Sequence, residues 1–296
     1  MGNQLEIRHL KYFLAVAEDL HFRKAAERLF ISQPGLSRQI KQMEEDLGIQ
    51  LFSRHNRKVE LTKAGAYLKT EIARSLKNLE NVIDHAKLLN DGVEGNLRMG
   101  YVGSAMQQII PDLLLKFKAG YPNTLFSLRE MDNQKQINAL ITEDIDVGFV
   151  RLERVPESIT IKPILQENFC LVLPKDHPVD ETNFKTIKQL KNDAFILFDP
   201  NYSTSYYEKV MRIFDDAGFS PTVTHNTIHA GSIYKLVENN FGVSIVPRSL
   251  LVEDLKAVKF VELKAVPHKT TLSLVWSKEN RNPILKLFLK NIINKL

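Results

Sequence analysis

The amino-acid sequence predicts a composite fold, with an all-α N-terminal segment, one long helix, and an α/β region over the rest of the chain. Three observations carry this reading. Apolar residues recur at helical spacing through residues 5–62, residues 63–90 form one amphipathic run, and strand-like and helical runs alternate from residue 97 onward. At 296 residues the chain exceeds what one core supports comfortably, so two domains joined by a linker are expected.

The N-terminal segment opens with helical patterns at residues 10–17 (LKYFLAVA) and 22–30 (FRKAAERLF). Phe30-Ile31-Ser32 then makes a tight connection to a second helix, so the pair reads as a helix-turn-helix whose small Ala25 and Ala26 permit close approach. Ser32 suits the N-cap, its hydroxyl accepting from an otherwise unpaired backbone N–H, and Pro34 falls in the first turn, where a missing N–H costs little. Leu36, Ile40, Met43 and Leu47 form one apolar stripe, and Gly48 supplies the stop. At about 100° per residue, the opposite face carries Pro34, Arg38 and Lys41, with Ser37 on its flank and Gln33 at the tip. The N-terminal part of such a helix enters the major groove, where Gln and Arg read base edges and Ser and Lys hold phosphates. The acidic Glu44-Glu45-Asp46 opposes the helix dipole by about 0.3 to 1 kcal/mol per charge, and marks the end kept clear of phosphate. The plainer alternative is an ordinary amphipathic pair in an all-α core. The following stretch SRHNRKVEL (53–61) alternates like a hairpin and offers Arg54, Arg57 and Lys58 as a basic wing, which favours double-stranded DNA as partner.

In the long helix, Leu68, Ile72, Leu76, Leu79, Ile83, Ala86 and Leu89 recur every three or four residues, a coiled-coil seam that would pair two chains. The glycines of DGVEGN (91–96) end it. Strand-like runs at 97–102, 125–131, 146–150, 169–173, 195–198, 242–246 and 272–276 then alternate with helical ones at 109–118 and 206–214, implying mainly parallel sheets with helices on their faces.

Bulk properties narrow the classes. The chain is 44% hydrophobic and 25% charged, which fits a globular protein, and its net charge of +5 permits contact with a polyanion. Cys170 is the single cysteine, so no intrachain disulfide forms and a reducing compartment fits. No signal-like N-terminus and no run long enough to span a bilayer are visible, so a cytoplasmic location without membrane contact is expected. No G-x-S-x-G, phosphate-loop or dinucleotide fingerprint occurs, and no His, Cys and carboxylate group has metal-ligand spacing. Neither an enzyme nor a bound cofactor or metal is expected. A solute receptor would need a signal peptide and would have no use for residues 5–62.

The segments LKYFLAVAE (10–18), HFRKAAERL (21–29), ISQPGLSRQIKQME (31–44), LGIQLF (47–52) and LTKAG (61–65) together resemble the LysR-type transcriptional regulators. LRMGYVGS (97–104), DVGFVR (146–151) and GVSIVP (242–247) extend the likeness over nearly the whole chain from Leu5. The resemblance implies a winged helix-turn-helix over 1–62, a linker and dimerisation helix over 63–90, and an effector-binding domain over 91–296. That domain would have two subdomains, about 97–168 with 271–296 and about 169–270, like a type 2 periplasmic binding protein. It also implies a homodimer through the linker helix, a homotetramer overall, and a small-molecule effector. Gln33, Pro34, Ser37 and Arg38 match the family's recognition-helix contacts and Arg54 its wing arginine, while Gly35 departs from the family pattern.

For the effector, strand ends leading into helix starts are the expected seats. Ser104 with Gln107, and Asn133 with Gln136, have the three-residue spacing of capping boxes. Arg151, directly after a strand, offers a fork for a carboxylate. Capping without a ligand is the alternative for Ser104 and Asn133, and an interdomain salt bridge is the alternative for Arg151. The subgroup answering to muconate, benzoate and related aromatic acids resembles this chain around Ser104 and Arg151, which implies that both line the pocket and that the effector is anionic. Asn133 departs from that subgroup's usual threonine, and a non-acid effector is the alternative. Tyr202 and Ser203, with Thr227 and His229, are further candidates from the second subdomain, although a surface or capping role is the plainer reading of His229.

Overall fold

The computed structural model describes residues 5–55, 58–90, 93, 95–107, 109–252 and 255–293, which divide into two compact units, 1–84 and 85–296. In the first unit, α1 (Ile7–Asp19), α2 (Phe22–Arg28) and α3 (Gln33–Leu47) precede a hairpin of β1 (Phe52–His55) and β2 (Lys58–Leu61), and α4 (Lys63–Asn90) runs out of it. Phe13, Val16, Ala25, Ala26, Leu36, Ile40, Met43, Leu51 and Phe52 form its core. Each large side chain fully buried there contributes about 1.5–3 kcal/mol. The two alanines between α1 and α3 leave room for the three helices to meet.

The start of α4 is fixed by a close approach. Thr62 Oγ1 accepts from the Gly65 N–H at 2.9 Å and donates to the Gln50 carbonyl at 2.7 Å. A Cβ at Gly65 would stand 2.1 Å from the Leu51 carbonyl oxygen, so only glycine allows the helix to cross this backbone.

The second unit follows the order β3 (Gly95–Tyr101), α5 (Gly103–Met106), α6 (Ile109–Lys118), β4 (Thr124–Glu130), α7 (Asn133–Ile141), β5 (Val147–Val150), β6 (Ile159–Glu167), β7 (Phe169–Pro174) and β8 (Ala194–Phe198). It continues with α8 (Thr204–Ala217), β9 (Thr222–Thr227), α9 (Ala230–Glu238), β10 (Ser244–Pro247), β11 (Val258–Glu262), β12 (Thr270–Ser277) and α10 (Pro283–Ile293).

Strands in the order β4-β3-β5-β12-β6 make the sheet of a first lobe, and β10-β7-β11 with the pair β8-β9 make those of a second. Leu97, Met99, Val147, Phe149, Leu272 and Leu274 pack with Phe117 and Phe288 of α6 and α10 on one face of the first sheet. Ile137, Leu140, Val150 and Val275 pack on the other, under α7. The second lobe has its own core around Phe169–Leu173, Phe195–Leu197, Phe214 and Ile233.

The expectation of mainly parallel sheets is corrected. Strand β3 is parallel to β4 and β5, and β8 to β9, but β12 is antiparallel to β5 and β6, and β7 to β10 and β11. The reason is connectivity: β6 carries the chain out of the first lobe and β12 brings it back, so the two crossing strands run in opposite directions side by side. Strands β6, β9 and β11 were not predicted, because β6 carries Pro163 and β9 (TVTHNT) is mostly polar and exposed.

Candidate functional site

In the first unit, α3 begins as the sequence predicts. Ser32 is the N-cap and its Oγ accepts from the Gly35 N–H at 3.3 Å, Pro34 lies in the first turn, and Gly48 takes a left-handed φ of 66° at the C-cap. Leu36, Ile40 and Met43 of the expected stripe are buried but Leu47, in the last turn, is exposed; Ser32, Gln33, Pro34, Arg38 and Lys41 are exposed and Ser37 is partly so. Gln33 Nε2 donates to Ser37 Oγ at 2.9 Å, which holds the amide over the first turn. Lys41 approaches Glu45 at 3.5 Å, an exposed pair that leaves it available to a phosphate. Arg54 stands on β1, its side chain outside the described residues, as is the whole of Arg57.

Glu44 Oε1 accepts from the backbone N–H groups of Leu51 at 2.8 Å and Phe52 at 3.0 Å. The first residue of the acidic run therefore anchors the entry to the hairpin, a role that no local pattern signals because its partners lie seven and eight residues on.

The second unit contains a cavity of about 240 Å³ lined from both lobes. Ser104 and Arg151 contribute from the first lobe, Tyr202, Ser203 and His229 from the second, with Tyr101, Glu130, Phe198 and Tyr206 among the rest of the wall. Five of the seven expected effector residues are thus brought together. Thr227 is not in the wall; its hydroxyl accepts from the His229 N–H at 3.3 Å. Asn133 is buried beside it rather than lining it, and its amide links the lobes: Oδ1 accepts from the Arg151 N–H at 2.9 Å and Nδ2 donates to Ser203 Oγ at 3.2 Å.

Neither expected capping box forms. The N-cap of α5 is Val102 and Ser104 lies inside the helix, with its Oγ accepting from Arg151 Nε at 2.9 Å. The N-cap of α7 is Asp132, one residue before Asn133, and Gln136 instead donates to the carbonyls of Met131 at 3.0 Å and Phe149 at 3.2 Å. Spacing identified the helix starts to within two residues, but the cap of α7 falls to Asp132, whose carboxylate accepts from the Lys135 N–H at 2.7 Å and leaves the Asn133 amide to other partners.

Arg151 is 4% exposed, and its fork is held within the protein. Glu167 accepts at 2.6 Å, Thr270 Oγ1 at 2.9 Å and Ser249 Oγ at 3.2 Å, and Glu167 in turn accepts from the Ser249 hydroxyl at 3.0 Å and from its N–H at 2.5 Å. Burial lowers the Arg151 pKa and the Glu167 charge opposes that shift, so the pair is stable as an ion pair that cancels its own charge. Arg151 thus forms a salt bridge, but with Glu167 of its own lobe rather than the interdomain pair that stood as the alternative; of its hydrogen-bond partners only Ser249 reaches it from the second lobe.

Tyr202 spans the cleft. Its Oη accepts from the Gly103 N–H at 3.3 Å and donates to Glu130 Oε1 at 3.3 Å, while burial and the Glu130 charge push its pKa up to about 12, so it remains a donor. His229 Nδ1 stands 3.9 Å from Glu130, a contact that is ionic only when the imidazole is protonated. Among the described residues no group of His, Cys, Asp and Glu could hold a metal, and no helix is long and apolar enough to cross a membrane.

The family described as bacterial regulatory helix-turn-helix protein, lysR family, matches residues 7–66, and the LysR substrate binding domain matches residues 90–296. The HTH-type transcriptional regulator YnfL of Escherichia coli (strain K12) is 34% identical over 294 residues, covering 99% of each chain. BenM of Acinetobacter baylyi, also an HTH-type transcriptional regulator, is 32% identical over 88% of this chain and 86% of its own. Full-length CbnR in complex with its target DNA superposes with a TM-score of 0.68 at 29% identity, covering 99% of this chain and 100% of that one. The chain therefore belongs to the LysR family of DNA-binding transcriptional regulators, with an N-terminal helix-turn-helix and a C-terminal effector-binding domain.

Proposed function

We propose that this regulator reads promoter DNA with the exposed face of α3 and the β1–β2 wing, as a dimer through α4 within a homotetramer, and that a small molecule in the two-lobed cavity modulates it. Residues 1–62, 63–90 and 91–296 are the reader, linker and effector-binding parts of this reading. The observation that carries it is the cavity itself, whose wall draws Ser104 and Arg151 from one lobe and Tyr202, Ser203 and His229 from the other. A ligand touching both lobes has different affinity for open and closed arrangements, and that difference is what coupling to DNA requires.

An anionic effector seated on Arg151 must first displace Glu167 from the guanidinium. A non-acid effector needs no such exchange, and the internal neutralisation of Arg151 favours it. The test uses the full chain with a panel of small metabolites. A binder raises the thermal midpoint and alters promoter footprints. Gly231 lines the cavity and a side chain there meets open space, so Gly231→Trp should abolish the shift. An undiminished shift in that variant places the effector elsewhere.

A further inference from the structure

Among the described residues lining the cavity, the formal charges are those of Arg151 and Glu130, with His229 charged only when protonated. Arg151 is cancelled by Glu167, so the cavity faces its occupant with the charge of Glu130. That carboxylate stands at the end of β4, opposite Tyr101 in the β3–β4 register, and takes a hydrogen bond from Tyr202. Glu130 keeps 38% of its side chain exposed, with Tyr101 and Tyr202 beside it on the cavity wall, and an accessible carboxylate of this kind holds a protonated amine through a charge-assisted hydrogen bond.

We infer that the effector carries a protonated amine, or an equivalent cationic nitrogen, that binds Glu130 in place of the Tyr202 hydroxyl. This rests on the cavity being the effector site. The exchange also supplies a coupling route. Tyr202, on the segment leading into α8 of the second lobe, joins Gly103 and Glu130 of the first lobe through one hydroxyl. An ammonium that takes over Glu130 leaves that hydroxyl only the Gly103 N–H, from which it accepts. Binding and the link between the lobes therefore change together. Gly103 keeps this seat open, since a Cβ there would stand 2.9 Å from Glu130 Oε1.

The test measures thermal shifts and calorimetric affinities of the full chain with three amines, benzylamine, phenethylamine and tyramine. Each is matched with its acid: benzoate, phenylacetate and 4-hydroxyphenylacetate. The expected result is that at least one amine binds more tightly than its acid. Glu130→Gln, which keeps size and removes charge, should weaken that amine by about ten- to hundredfold and leave the acid unchanged. Tyr202→Phe, which frees Glu130 from its internal donor, should tighten it. Binding of the acids alone, of none of the amines, or of amines with equal affinity in Glu130→Gln overturns the inference. Gly231→Trp separates this failure from that of the cavity reading. An amine insensitive to Glu130→Gln but lost in Gly231→Trp refutes the role of Glu130 alone, whereas an amine retained in Gly231→Trp refutes the cavity as its site.

Discussion

At the scale of single residues, Arg151 and Glu167 are the pair on which the second unit's site is organised. Both are almost fully buried, at 4% and 6% side-chain exposure, and each leaves a buried charge if the other is removed. Glu167→Gln should therefore destabilise the chain by about 3–5 kcal/mol. Replacing both with Met should cost much less, because a hydrophobic pair of similar volume carries no desolvation penalty. Denaturant unfolding followed by circular dichroism of the two variants checks this; equal losses would mean that the pair's value lies in attraction rather than in mutual neutralisation. Arg151 is legible in the sequence because it directly follows an apolar strand, whereas its partner is not. Glu167 lies 16 residues away at the end of a strand whose irregular pattern hid it. Glu130 is equally illegible, because a charged strand end reads as plain surface and its hydrogen-bond donor, Tyr202, lies 72 residues away.

Among the elements, α3 was legible almost to its ends, because its cap, first-turn proline, apolar stripe and terminal glycine are all local signals. Its tie to the hairpin was not. Glu44 satisfies two backbone donors at the entry to β1, so Glu44→Ala leaves both short of this acceptor and should cost about 1–3 kcal/mol. Its effect on DNA binding should exceed what a residue outside the groove would explain, since the wing would lose its fixed position relative to α3. Footprints that retain contacts from α3 but lose those from the hairpin are the expected outcome, and an unchanged footprint would limit Glu44 to stability. Strands β7, β8, β10 and β12 were equally legible as apolar runs, whereas β6, β9 and β11 depend on pairing partners brought from far along the chain. The sheets' mixed direction depends on the same long-range pairing and has no local signature.

For the molecule as a whole, two measurements follow from charge and burial. Cys170 is fully buried on β7, and burial pushes its thiol up to about 12, against about 8.5 when unfolded. With the folded value raised, the contribution is present in full below the unfolded value and lost as pH rises through that window towards 12. Stability should fall across that alkaline range, and a thiol reagent at neutral pH should label Cys170 only as the second lobe opens. The second measurement concerns DNA. A protein contacting several phosphates loses affinity steeply with salt, by a slope of about −0.9 per phosphate neutralised. Lys41 lies on the exposed face of α3 with only a loose ion pair to Glu45, so Lys41→Ala should reduce the slope by about 0.9 and weaken binding alike on specific and nonspecific DNA. Arg38, one turn nearer the helix start, should behave differently. If it reads a base edge, Arg38→Ala costs about 1–3 kcal/mol on the specific site alone. Titrations of both variants against promoter and scrambled duplexes over a range of salt separate the roles. Should Arg38→Ala weaken both duplexes equally, Arg38 is a phosphate contact and the reader of sequence lies elsewhere on α3 or in the wing.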